Sequence, residues 1–148
     1  FSPETFEFAY LPYYSKVVGW IHEHTVWKTW KHTCGSAAEF MPMFIEAGLD
    51  CINPVQISAA GMDPDSLKER FGNAITFWGG GIDTQQTLPF GTPGEVYDEV
   101  CRLIRVFGRG GGFVFNTVHN VQGNSPAANL DAMIRAIRDC GSYPLDPP

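Results

Sequence analysis

Three segments of this chain begin on a small polar residue followed at once by proline and end at a glycine: Asp63-Pro64 to Gly72, Thr92-Pro93 to Gly108, and Ser125-Pro126 to Gly141. Proline suits the first helical position, where its missing N–H would be unpaired anyway, and glycine suits the left-handed turn beyond the last one. The spacing therefore predicts three helices, with Thr92 and Glu95 forming a capping box at the second. Val96, Val100, Leu103, Ile104 and Phe107 recur at helical intervals in the second, as do Leu130, Met133, Ile134 and Ile137 in the third, so each is expected to bury one face.

Between these helices lie short apolar runs, Cys51 to Val55, Ala74 to Trp78 and Gly112 to Phe115. Runs without clean alternation suit strands covered on both faces, as in parallel sheets. A fourth run, Val26 to Lys31, precedes a helix over Ser36 to Ala47, and Pro3 to His24 reads as helical on both sides of Pro12, which opens a second helix. The order is helix, then four strand-helix units. It predicts an α/β fold built on a parallel sheet.

Two architectures fit, an open doubly wound sheet or part of a barrel. An open nucleotide-binding sheet calls for a phosphate-cradling glycine turn between strand and helix. Gly79-Gly80-Gly81 follows a strand but leads into Ile82-Asp83-Thr84-Gln85, and the glycines of 108–112 precede a strand. Eight units of a barrel take ~250 residues, so four units and a leading helix fill most of 148 residues. The expectation is half of a (β/α)8 barrel, a single domain over 1–148 that begins on Phe1 without initiator Met or leader and so reads as a piece of a longer chain.

Composition narrows the function classes. Hydrophobic residues make up 44% and charged residues 18%, which is the balance of a packed domain rather than a disordered one. A net charge of −6, with only 10 Lys and Arg, argues against nucleic acid as a partner. No run is long enough to span a membrane, and a cytoplasmic protein is expected. The cysteines Cys34, Cys51, Cys101 and Cys140 lack CxxC spacing, so no disulfide is expected. Cys51 and Cys101 read as core, and Cys140 as a packing residue at a helix end.

In a parallel barrel the active face lies at the strand C-terminal ends. The polar residues there are His32, Thr33 and Cys34, then Asn53 with Gln56, Asp83 with Gln85, and Asn116 with His119. His32 and Cys34 stand two apart and point to one side of an extended strand. Imidazole and thiolate on one side suit Zn²⁺, whose catalytic sites use three protein ligands, and His119 is the candidate third. The competing reading is a packed His beside a core Cys. Asp83 is a candidate to orient substrate or accept a proton, or else caps a nearby N–H, after a glycine triplet that lets backbone approach a ligand. Asn53, Gln56, Gln85 and Asn116 are candidate substrate contacts, or groups that satisfy backbone at the strand ends. His22 and His24 read as a solvated face, and the early aromatics Tyr10, Tyr13, Tyr14, Trp20, Trp27 and Trp30 as core and interface.

Three segments carry a family pattern: Trp30-Lys31-His32-Thr33-Cys34-Gly35, Ala47 to Gln56, and Trp78 to Gln85. They resemble the uroporphyrinogen decarboxylase family, in particular its methyltransferase branch, which acts with corrinoid proteins. The resemblance covers nearly the whole chain and implies the C-terminal half of that family's barrel. It implies zinc held by His32, Cys34 and a third residue, with the metal activating a thiol or a methoxylated substrate for exchange of a methyl group with a corrinoid. That corrinoid is carried by a partner protein or bound as substrate. His119, seven residues before Pro126, stands where the methyltransferases have Cys, whereas the decarboxylases have a substrate-contacting His in a Gly-His-Gly setting. Implied alternatives are decarboxylation of a tetrapyrrole, and a non-catalytic half barrel that pairs with itself or with a missing N-terminal half through open strand edges.

Overall fold

The computed structural model describes residues 2–145; Phe1, on which the sequence opens, and residues 146–148 lie outside it. Two helices, α1 (Pro3–Ala9) and α2 (Leu11–His24), lead into four strands: β1 (Trp30–His32), β2 (Cys51–Asn53), β3 (Thr76–Trp78) and β4 (Phe113–Val114). All pair in parallel in the order β1-β2-β3-β4, with His32 opposite Asn53 and Trp78 opposite Val114. A 3₁₀ turn (Ala38–Phe40) and α3 (Met41–Glu46) connect β1 to β2, and α4 (Pro64–Phe71) connects β2 to β3. The short α5 (Thr87–Phe90) and long α6 (Pro93–Gly108) connect β3 to β4, and α7 (Ala127–Cys140) closes the described chain. No described helix is long and apolar enough to cross a membrane.

The local rules act much as the sequence predicts at helix starts. Asp63 accepts from Ser66 N at 2.9 Å, and Thr92 and Glu95 close a complete capping box. Ser125 departs from expectation: Pro126 is the N-cap, and the buried Ser125 Oγ has no hydrogen-bond partner among the described residues. Helix ends also differ. Gly72 and Gly141 keep negative φ (−63° and −92°), and Gly108 is still helical, so the left-handed backbone begins only at Gly110, φ 73°.

Packing of α6 follows its stripe, with Val96, Val100, Leu103, Ile104 and Phe107 all buried. In α7 the stripe is displaced. Ala132, Ala136 and Asn129 are the buried residues, Leu130, Met133 and Ile137 are half-buried at the rim, and Ile134 is exposed. Small side chains at the contact let two helix backbones come close, which pushes the larger ones outward.

The helices cover one sheet face, where Ile52 and Phe77 are 1% exposed. The opposite face carries Trp30, His32, Trp78 and Val114, all exposed, so the expectation of strands covered on both faces holds for only one face of this chain. Of the early aromatics, Tyr14 packs half-buried against the core, whereas Tyr13, Trp20 and Trp27 are exposed, and Val26, expected in the first strand, lies in a loop. His22 Nε2 donates to Asp50 Oδ2 at 2.7 Å, whereas His24 stacks on Trp20 with ring centroids 4.6 Å apart.

The expectation of unpaired cysteines is overturned at one pair. Cys101 on α6 and Cys140 at the end of α7 form a disulfide. Sequence spacing carries no signal for it, because the two residues meet only through packing of the two helices. Cys34 and Cys51 are free.

Candidate functional site

Parallel pairing places the ends of β1, β2, β3 and β4 on one side, and the polar residues after each strand gather there in sequence order. At the end of β1, His32 Nε2 lies 3.5 Å from Cys34 Sγ, and both residues are exposed. The Thr33 N–H between them donates to Asn53 O, extending the β1–β2 ladder by one step so that the two side chains share one side.

The last residue of β2 and the segment after it grip this pair. Asn53 is buried, its Oδ1 lies 2.8 Å from His32 Nδ1, and its Nδ2 donates to Trp78 O at 2.9 Å. Gln56 Oε1 accepts from Gly35 N at 2.8 Å, directly after Cys34. Both residues, candidates for substrate contact, turn these polar ends toward the protein. Trp78 O, the main-chain partner that completes the arrangement, has no side-chain signal in the sequence.

Asp83 takes the capping role. Its Oδ1 accepts from Gln85 N at 2.6 Å and Gln86 N at 3.1 Å, and its own N–H donates to Glu99 Oε1 on α6. Gln85 and Asn116 are exposed. The glycine triplet accommodates protein here. Gly79 and Gly80 have φ of 108° and 78°, and a Cβ on Gly81 would fall 2.3 Å from the Phe115 ring. These glycines admit neighbouring loops, whose side chains and backbone fill the space a ligand was expected to take.

His119 does not join the pair. Its Nδ1 accepts from the N–H of Asn120 at 2.9 Å in the exposed loop after β4, and among the described residues no three His, Cys, Asp or Glu side chains converge as a metal site. His32 and Cys34 fit two positions of a zinc coordination sphere in donor type and proximity; among the described residues a third donor is not assembled. A groove of about 660 Å³ between α2 and β1 also reaches His32, with Tyr13, Tyr14, Val17, Trp27 and Trp30 among its walls.

Four parallel strand-helix units with their polar groups at one sheet end define part of a (β/α)8 barrel. The sequence model of the family described as "Uroporphyrinogen decarboxylase (URO-D)" matches residues 1–140. The chain belongs to the uroporphyrinogen decarboxylase family. Among solved structures, a "methyltransferase from Methanosarcina mazei" superposes with a TM-score of 0.69 at 17% identity, which establishes likeness of fold. The match covers 96% of this chain and 39% of that one, so the chain spans well under half the length of that relative. No curated protein matches.

Proposed function

We propose that this chain carries part of the active face of a zinc-dependent methyltransferase that moves a methyl group between a corrinoid and a thiol or methoxylated substrate. The observation that carries the reading is the approach of His32 Nε2 to Cys34 Sγ, 3.5 Å apart and exposed at the end of β1. The likeness in fold to a methyltransferase supports it.

His32 Nε2 and Cys34 Sγ are the proposed donors to zinc. His119, on the loop after β4, is the proposed third, reaching the pair by rearrangement of that exposed loop. The chemistry zinc supplies in such a site is to lower the pKa of a bound thiol toward neutrality, so that a thiolate is present to take the methyl group. Gln85 and Asn116 are assigned to substrate. Asn53 and Gln56 hold the donor pair, and Asp83 holds the turn that carries Gln85. The corrinoid is a substrate delivered by a partner protein or bound directly.

Zinc content of the purified protein, measured beside Cys34→Ser, tests the reading. About one equivalent in the wild type and loss in the variant are expected. A metal-free wild type after zinc loading, or equal zinc in Cys34→Ser, would sink it. A methylcobalamin demethylation assay with thiol acceptors then tests the transfer itself.

A further inference from the structure

We propose that Asn53 is a positioning residue whose carboxamide selects the tautomer of His32, so that the Nε2 lone pair, and not an N–H, faces Cys34. This deepens the zinc reading above and rests on it only for the metal arm of the test.

Hydrogen-bond polarity fixes the assignment. A main-chain carbonyl has no proton to give, so the 2.9 Å contact between Asn53 and Trp78 O identifies that end of the amide as the NH₂ group. The other end is then the carbonyl oxygen, an acceptor only. The ring nitrogen 2.8 Å from it, His32 Nδ1, must therefore carry a proton. A neutral imidazole protonated at Nδ1 presents a lone pair at Nε2, and Nε2 is the atom 3.5 Å from Cys34 Sγ. The polarity set by one carbonyl on β3 is thus carried through β2 to a ring nitrogen on β1.

The amide has little freedom to reverse this. Asn53 is 5% exposed, it stands opposite His32 in the ladder, and its main-chain oxygen is held by Thr33 N. A flip would set its oxygen against the Trp78 oxygen and leave both acceptors without a donor. Gln56 acts on the other member of the pair, because its Oε1 fixes the N–H of Gly35, the residue after Cys34. Both carboxamides come from the four residues Asn53-Pro54-Val55-Gln56, which act as a bracket for the pair. A second group that orients a metal-facing imidazole commonly accounts for ~10–100-fold in metal affinity.

Long-range ¹H–¹⁵N correlation spectra of the metal-free protein, recorded above about pH 8 so that imidazoles are neutral, read the tautomer directly. His32→Gln assigns the ring signals. Wild type is expected to show a protonated Nδ1 and an unprotonated Nε2, and Asn53→Leu a mixture of tautomers. In parallel, Zn²⁺ affinity measured against a chromophoric chelator is expected to fall ~10–100-fold in Asn53→Leu. A protonated Nε2 in the wild type overturns the proposal whether or not Asn53→Leu folds, and so does a wild-type tautomer in a folded Asn53→Leu. If the tautomers behave as expected but the wild type takes up no zinc, the positioning role stands and the zinc reading falls.

Discussion

Cys101 of α6 and Cys140 of α7 are joined by a disulfide across 39 residues of sequence, with Cα atoms 5.4 Å apart, so the helix pair that packs behind β4 is also covalently tied. Closing a loop of that length restricts the unfolded chain by about 4 kcal/mol in the chain-entropy treatment. Denaturant unfolding should show Cys140→Ser, or the wild type in reductant, destabilised by ~2–4 kcal/mol, with no added effect of reductant on the variant. Equal midpoints with and without reductant would refute this.

Asp50 ties the α2–β1 loop to β2. Its carboxylate accepts from Thr29 N and Thr29 Oγ1, from Lys28 Nζ and, with the ring suitably protonated, from His22 Nε2. Burial alone would raise its pKa; the hydrogen bonds from Thr29, Lys28 and His22 outweigh burial and hold the carboxyl well below the usual carboxylate range. A depressed folded pKa means that its contribution is fully present above the unfolded value of about 4 and is lost as pH falls toward the folded one. The stability difference between wild type and Asp50→Asn should therefore be constant near neutrality and shrink below about pH 4. Urea midpoints across pH would show it, and a gap that widens in acid would contradict it.

Gly81→Ala places a methyl group 2.3 Å from the Phe115 ring, closer than real side chains approach. The ring must move. The expected loss is ~1–3 kcal/mol, as for other overpacked sites. Gly81→Ala combined with Phe115→Leu should recover part of it, and a single variant as stable as wild type would exclude the clash.

The two free thiols should separate in a labelling experiment. Cys34 is exposed, while Cys51 is half-buried and its thiol is pushed up in pKa by burial and by the negative charge of Asp50. Since the thiolate is the nucleophile, iodoacetamide near neutral pH should modify Cys34 well before Cys51. Peptide mapping by mass spectrometry reads the order. Faster labelling of Cys51 would contradict the burial, and protection of Cys34 by Zn²⁺ would support the proposed ligation.

Much of the architecture is legible in local chemistry. Asp63 and Thr92 cap helices because a short oxygen followed by proline satisfies the same backbone donors in any context, and Cys51 to Asn53 pairs in the sheet because an apolar run bounded by polar residues has little else to do. His32 and Cys34 meet because alternate residues of an extended strand share a side. The failures have a common origin. Ile134 is exposed and Ala132 buried because the contact with α6 selects size, which periodicity does not encode. Asp83, Gln85 and Asn53 have the same polar character in the sequence. Only the backbone donors and carbonyls around them decide which side chains are consumed internally.

Capping, periodicity and strand alternation over a few neighbouring residues suffice to set the order of elements, the parallel sheet and the row of polar residues at its end. Tertiary structure alone decided the Cys101–Cys140 bond, the separation of His119 from His32 and Cys34, and the commitment of Asn53 to His32 and Trp78. Those outcomes depend on distances between segments about twenty to ninety residues apart, and such distances are set by how strands register and helices pack, for which no local residue pattern carries the information.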